Sequence, residues 1–179
     1  MIIGLTGPIG AGKDEVAKVL AKSGAFVIDA DQVAHSLYPQ VAGQLVKEFG
    51  TVERSKLAEI VFADKNKLLK LNQIIHPALY REIKKIVESK KLNVERRIVI
   101  NAAVLKEIGL IELVDQVWVV LASKENRLAR SIKSGLAKSA AEQRMAAQMS
   151  EEEYRALADV VIENNGTLEQ LEKEVIRLI

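Results

Sequence analysis

Apolar and polar positions divide the chain into short apolar runs and longer amphipathic stretches. Ile2 to Thr6 is a compact apolar run, and Ala25-Phe26-Val27-Ile28 is a second one. Between them, apolar residues from Glu15 to Lys22 recur at helical spacing. A helix is predicted from about Gly12 to Lys22, ended by Ser23-Gly24. Strand, helix and strand within about 30 residues form a βαβ unit, which predicts parallel strands. From Gln32 to about Arg96 the pattern is helical and charged. Val41, Leu45, Val46 and Phe49 share one spacing, then Leu57, Ile60 and Val61, then Leu68, Leu71, Ile74 and Ile75. Pro77 is expected to open a further helix carrying Ile83, Ile86 and Val87. This is too long for one crossover and reads as a helical subdomain inserted between strands.

Strand patterns return at Arg97 to Ile100, Gln116 to Leu121 and Asp159 to Ile162. Helices are predicted at Lys124 to Lys133, Ala140 to Met149 and Glu151 to Leu157, with a mobile basic connection at Gly135 to Ser139. After the turn Asn164-Asn165-Gly166, Thr167 and Gln170 form a candidate capping box for a last helix through Leu171, Val175 and Leu178. The pattern therefore predicts an α/β fold: a doubly wound parallel sheet of about five strands with helices between them.

Composition narrows the function. A chain of 179 residues, 49% hydrophobic, fits one domain, or one core with an inserted subdomain. The net charge of +2 gives no strong pull toward nucleic acid or anionic membrane, and 4% aromatics supply no stacking surface for bases. With no cysteines and two distant histidines, disulfides and thiolate zinc are excluded and a histidine metal site is not expected. No signal peptide or apolar span is visible, so a cytoplasmic protein is expected. The oligomeric state is left open, and a monomer is compatible with the sequence.

The chemistry concentrates at the first strand's end. Gly7-Pro8-Ile9-Gly10-Ala11-Gly12-Lys13 fits the phosphate-binding loop Gly-x-x-x-x-Gly-Lys-[Ser/Thr], but Asp14 replaces the hydroxyl residue. Glycines let the backbone curl so that several N–H groups converge on phosphate oxygens. The following helix adds free N–H groups and the positive end of its dipole, and Lys13 a mobile charge for the β- and γ-phosphates. Gly7 through Glu15 are the candidate nucleotide contacts. Ligands of such sheets sit at the carboxyl ends of the strands, which places Asp29 and Asp31 on the loop's edge.

With Gly4-Leu5-Thr6-Gly7-Pro8-Ile9-Gly10-Ala11-Gly12-Lys13 followed by Val27-Ile28-Asp29-Ala30-Asp31, the sequence resembles the dephospho-coenzyme A kinase family. His76-Pro77, the Arg-x-x-x-Gln element Arg144 to Gln148, and the closing stretch Ala158 to Gly166 extend the resemblance over nearly the whole chain. It implies a P-loop NTPase fold with a core of about 1–30, 97–125 and 158–179, a helical substrate subdomain of about 31–96 and a lid of about 126–157. It implies transfer of the ATP γ-phosphoryl group to the ribose 3′-hydroxyl of dephospho-coenzyme A, with magnesium.

The resemblance also suggests roles. Asp31 corresponds to the acid that accepts or orients the hydroxyl; as an Asp it could equally cap the helix beginning near Gln32, and the two roles are compatible. Asp29 is open between a place beside magnesium and a plain strand-end polar residue. His76, His35 and Asn101 fall on the substrate side, although a lone histidine is more often structural. Arg130, and more weakly Arg144, could clamp phosphates as the lid closes. Arg127 shares a helix face with Arg130 but reads better as part of a solvated basic face. Asn165 and Gly166 would shape the adenine end.

Some positions depart from the family. Asp14 can hold magnesium directly or through water, and repels phosphates unless the metal lies between. Asp14 is thus the metal candidate; nucleotide binding is expected to depend strictly on magnesium, and Asp14→Ser to stay active. Asn101 and Ala103 stand where the family has an acid and a proline, His35 where it often has arginine, and Ser134, Glu151 and Tyr154 where lid positions are commonly basic. These changes leave two alternatives: another P-loop kinase acting on a nucleotide or phosphorylated small molecule, or a nucleotide-binding paralogue without catalysis.

Overall fold

The computed structural model describes residues 1–92 and 97–179. Five strands, β1 (Ile2–Thr6), β2 (Phe26–Asp29), β3 (Ile98–Asn101), β4 (Gln116–Leu121) and β5 (Val160–Glu163), form one sheet in the order β2-β3-β1-β4-β5. Every pairing is parallel. Among the described residues, the eight α-helices are α1 (Lys13–Lys22), α2 (Ala30–Phe49), α3 (Arg54–Ala63), α4 (Lys65–Leu92), α5 (Lys124–Lys133), α6 (Lys138–Ala146), α7 (Glu151–Leu157) and α8 (Leu168–Arg177). A parallel sheet buried on both faces needs apolar residues at successive positions, and the strands supply them.

Side-chain alternation sorts these residues into two layers. Ile3, Leu5, Val99, Trp118, Val120 and Ile162 pack with Val16, Leu20, Leu171 and Val175 of α1 and α8. Ile2, Ile98, Ile100, Val117, Val119 and Leu121 face the other way, in one cluster with Leu37, Leu45, Leu57 and Ile83 of α2, α3 and α4. The long helical stretch therefore shares its apolar interior with one face of the sheet. Thr167 and Gln170 form the expected capping box at α8, and Ser150 with Glu153 makes another at α7.

Pro77 departs from the expectation. It lies inside α4, which runs unbroken from Lys65 to Leu92. Leu71, Ile75, Leu79, Ile83 and Val87 are all buried at four-residue spacing on both sides of it. One continuous apolar stripe outweighs the single hydrogen bond that a proline forfeits. The last residues of the predicted helical stretch, 93–96, lie outside the described residues. Helix α2 begins at Ala30, and Asp29 rather than Asp31 is its N-cap: Asp29 Oδ1 accepts from the N–H groups of Asp31 and Gln32 at 3.0 Å each. Helix α6 begins at Lys138, inside the stretch read as a mobile connection. Among the described residues, no helix is long and apolar enough to cross a membrane.

Candidate active site

The loop from Gly7 to Gly12 joins β1 to α1, and its geometry follows from where its carbonyls go. Ile9 O accepts from Arg127 Nε at 3.0 Å. Gly10 O and Ala11 O both accept from Arg130 Nη1 at 3.4 Å, and Ala11 O also takes Asn164 Nδ2 at 2.8 Å. Pro8 O accepts from Ala11 N–H at 3.1 Å. With the carbonyls held on the protein side, the N–H groups of Gly10, Gly12, Lys13 and Asp14 have no acceptor among the described residues. Converging, unpaired N–H groups beside a helix N-terminus are what an anion of high charge requires. Glycine is needed at Gly10 and Gly12, which have φ of 75° and 97°. A side chain on Gly10 would overlap the Arg127 carbonyl, and one on Gly12 the Asn164 amide nitrogen.

Arg127, Arg130 and Asn164 brace the loop from behind. Arg127 is not on a solvated face: its guanidinium is half-buried, spanning Ile9 O and Gln148 Oε1, the latter at 3.3 Å. Gln148 Oε1 also accepts the Ile9 N–H at 2.9 Å. Arg130 was expected to clamp phosphates, but its guanidinium is committed to Gly10, Ala11 and the Asn164 carbonyl, the last at 3.0 Å. Asn164 is 4% exposed and ties the end of β5 to the loop. Asn164→Ala leaves the buried Ala11 carbonyl without its shortest partner, and should lower unfolding free energy by about 2 kcal/mol in denaturant titration.

Of the other predicted contacts, Asn165 Oδ1 accepts from Ser123 N–H at 2.7 Å and from Asn126 Nδ2 at 3.3 Å, bracing the turn after β5 against the start of α5. Glu15 is not brought into the cradle. Its N–H donates to Gly12 O and its carboxylate pairs with Lys18. Arg144 is exposed on α6, and His35 is exposed on α2, edge-on to Tyr38.

Asp14 heads the first turn of α1. Its carboxylate accepts from Lys13 Nζ at 2.9 Å and Asn101 Nδ2 at 3.0 Å. Burial pushes its pKa up, but the Asn101 hydrogen bond and the Lys13 ion pair outweigh this and hold it below the usual carboxylate range. Asn101 closes β3 and stands level with Leu5 on one side and Asp29 on the other. Asn101 therefore lies between the phosphate loop and the aspartates of β2 and α2. The loop-bearing strand β1 and the strand β2, which leads into Asp31, are two spacings apart, roughly 10 Å.

His76 lies apart from the loop, on α4. Its Nδ1 is 3.2 Å from the Glu107 carbonyl. Burial lowers its pKa, against the opposing pull of that contact. A histidine depressed in the folded state leaves the unfolded chain binding more protons, so stability falls as pH drops below about 6.5. His76→Gln should flatten this part of a pH–stability profile. Tyr154 of α7 is buried between Glu107 and Arg127; burial first, then the Glu107 charge, raises its pKa to about 12. Its hydroxyl thus stays protonated at neutral pH.

The profile of the dephospho-CoA kinase family matches residues 1–170, across the loop, Asn101, Arg130 and Asn164. The chain belongs to the dephospho-CoA kinase family. A dephospho-CoA kinase of Aquifex aeolicus is 41% identical over 184 residues, covering 97% of this chain and 93% of its own. In three dimensions, TT1252 from Thermus thermophilus agrees at a TM-score of 0.84 and 33% identity, covering 99% of this chain and 95% of that one. Dephospho-CoA kinase from Campylobacter jejuni agrees at a TM-score of 0.73 and 25% identity, covering 99% and 94%.

Proposed function

We propose that the chain transfers the γ-phosphoryl group of ATP to the ribose 3′-hydroxyl of dephospho-coenzyme A. The observation that carries this reading is the phosphate cradle of Gly10, Gly12, Lys13 and Asp14 at the carboxyl edge of the sheet, where β2 passes into α2 and Asp31 on the far side of β3. The N–H groups bind the phosphates and Lys13 follows the charge that spreads over the transferred group. Asp31 orients the acceptor hydroxyl and takes its proton; Asp29, as the N-cap of α2, fixes the turn that presents it. Arg130 and Asn164 act through the loop by holding its carbonyls away from the ligand. The helical segment 31–92, with His35 and His76, supplies the acceptor side, and 126–157 the lid, with Arg144 exposed on it. Asn165 braces the adenine end.

The donor set suits magnesium. Asp14 offers a carboxylate whose side chain is 67% exposed, held in place by Asn101 Nδ2. Hard oxygen donors, few in number and completed by substrate phosphates, are how this ion is usually held. When bound there, magnesium would offset the charge on the β- and γ-phosphates.

Acceptor competition tests the proposal. Dephospho-coenzyme A should exceed nucleoside monophosphates in kcat/KM by roughly a hundredfold or more, since a site built to pair an acceptor's polar groups rejects those lacking them. A nucleoside monophosphate that matches it would point to a different kinase.

A further inference from the structure

We propose that Asp14 makes the site select cation-loaded nucleotide over bare nucleotide, by holding Lys13 as its counter-ion until a divalent cation replaces that charge. This rests on the nucleotide-binding reading above and assigns a specificity role to the residue that breaks the loop pattern.

Two donors meet on one oxygen. Lys13 Nζ and Asn101 Nδ2 both reach Asp14 Oδ1, at 2.9 and 3.0 Å. The Lys13 side chain is 15% exposed, whereas that of Asp14 is 67% exposed and open to a ligand. The ammonium that should meet phosphate is thus tied to a carboxylate beside the cradle.

Asn101 fixes this arrangement. A carboxylate only accepts, so the Asn101 amide must turn its nitrogen toward Asp14 and its carbonyl oxygen away. That oxygen is the only buried side-chain polar atom without a partner among the described residues. An unpaired buried acceptor is costly and calls for a reason. The reason here is that Asn101 gives up its own pairing to hold Asp14 in register with Lys13.

Bare nucleotide meets two obstacles from this pair. Its phosphates compete with Asp14 for the same ammonium, and they approach an uncompensated carboxylate. A cation carried in with the nucleotide removes both. It neutralises Asp14 and frees Lys13 for the phosphates. A serine at this position holds no charge, so neither obstacle exists.

The test is calorimetric titration of a non-hydrolysable ATP analogue into the full chain, once with excess EDTA and once with magnesium. Wild type, Asp14→Ser and Asp14→Asn are compared, and thermal melting verifies that each is folded. In EDTA the variants should bind on the order of tenfold tighter than wild type, the scale of one partly exposed charge pair. The ratio of affinities with and without magnesium should shrink accordingly. If both folded variants bind the bare analogue no better than wild type, Asp14 does not restrain Lys13 and the inference is overturned. If wild type binds the analogue under neither condition, the nucleotide reading fails and takes the inference with it.

Discussion

Lys13→Ala should lower kcat by roughly a thousandfold and raise the KM for ATP, while the protein stays folded. On the function proposed above, the cradle's N–H groups would act on the whole phosphate chain, with most of their contribution present before reaction. Lys13 is different, because its side chain can follow the transferred group as charge spreads over its oxygens. Its ammonium pairs with Asp14 and not with a core group, but its side chain is only 15% exposed, so the melting curves are what separate a packing loss from a catalytic one. A steady-state assay with melting curves checks this. Loss of activity together with loss of the folded state would assign Lys13 to structure.

Asp31→Asn should lower kcat by about a hundredfold, the low end of the range for general-base removal, with the KM for ATP unchanged. The low end is expected because phosphoryl transfer relies on positioning more than on strong base chemistry. Asparagine keeps the shape and can still orient a hydroxyl, but it cannot take the proton. Helix capping is not disturbed, since Asp29 caps α2. An ATP KM that rises in step with the fall in kcat would instead tie Asp31 to nucleotide binding.

The sheet and the loop were legible because they rest on local signals. Short apolar runs bounded by glycines, with lysine at the head of an amphipathic stretch, leave few alternatives. Pro77 was misread because its local rule, that proline opens helices, lost to a stripe of five buried residues that is visible only when both sides are joined. The solvated-face reading of Arg127 failed because its partners, the Ile9 carbonyl and Gln148, are 118 and 21 residues away and come together only in the fold. Asp29 took the capping role because α2 begins at Ala30, two residues before the expected start at Gln32. Asn164 could have been found: the period of two that buries Ile162 also turns Asn164 inward, whereas the adjacent Asn165 lies on the exposed side. The Asp14–Asn101 contact joins residues 87 apart, and only the parallel pairing of β1 with β3 brings them together.

The central claim is phosphoryl transfer to one hydroxyl. The most direct measurement is phosphorus NMR of the products formed from ATP, magnesium and dephospho-coenzyme A. A ribose 3′-phosphomonoester resonance should grow in step with ADP, and should be absent in Lys13→Ala over the same period. ADP accompanied only by free phosphate, or no turnover although the nucleotide binds, would contradict that claim.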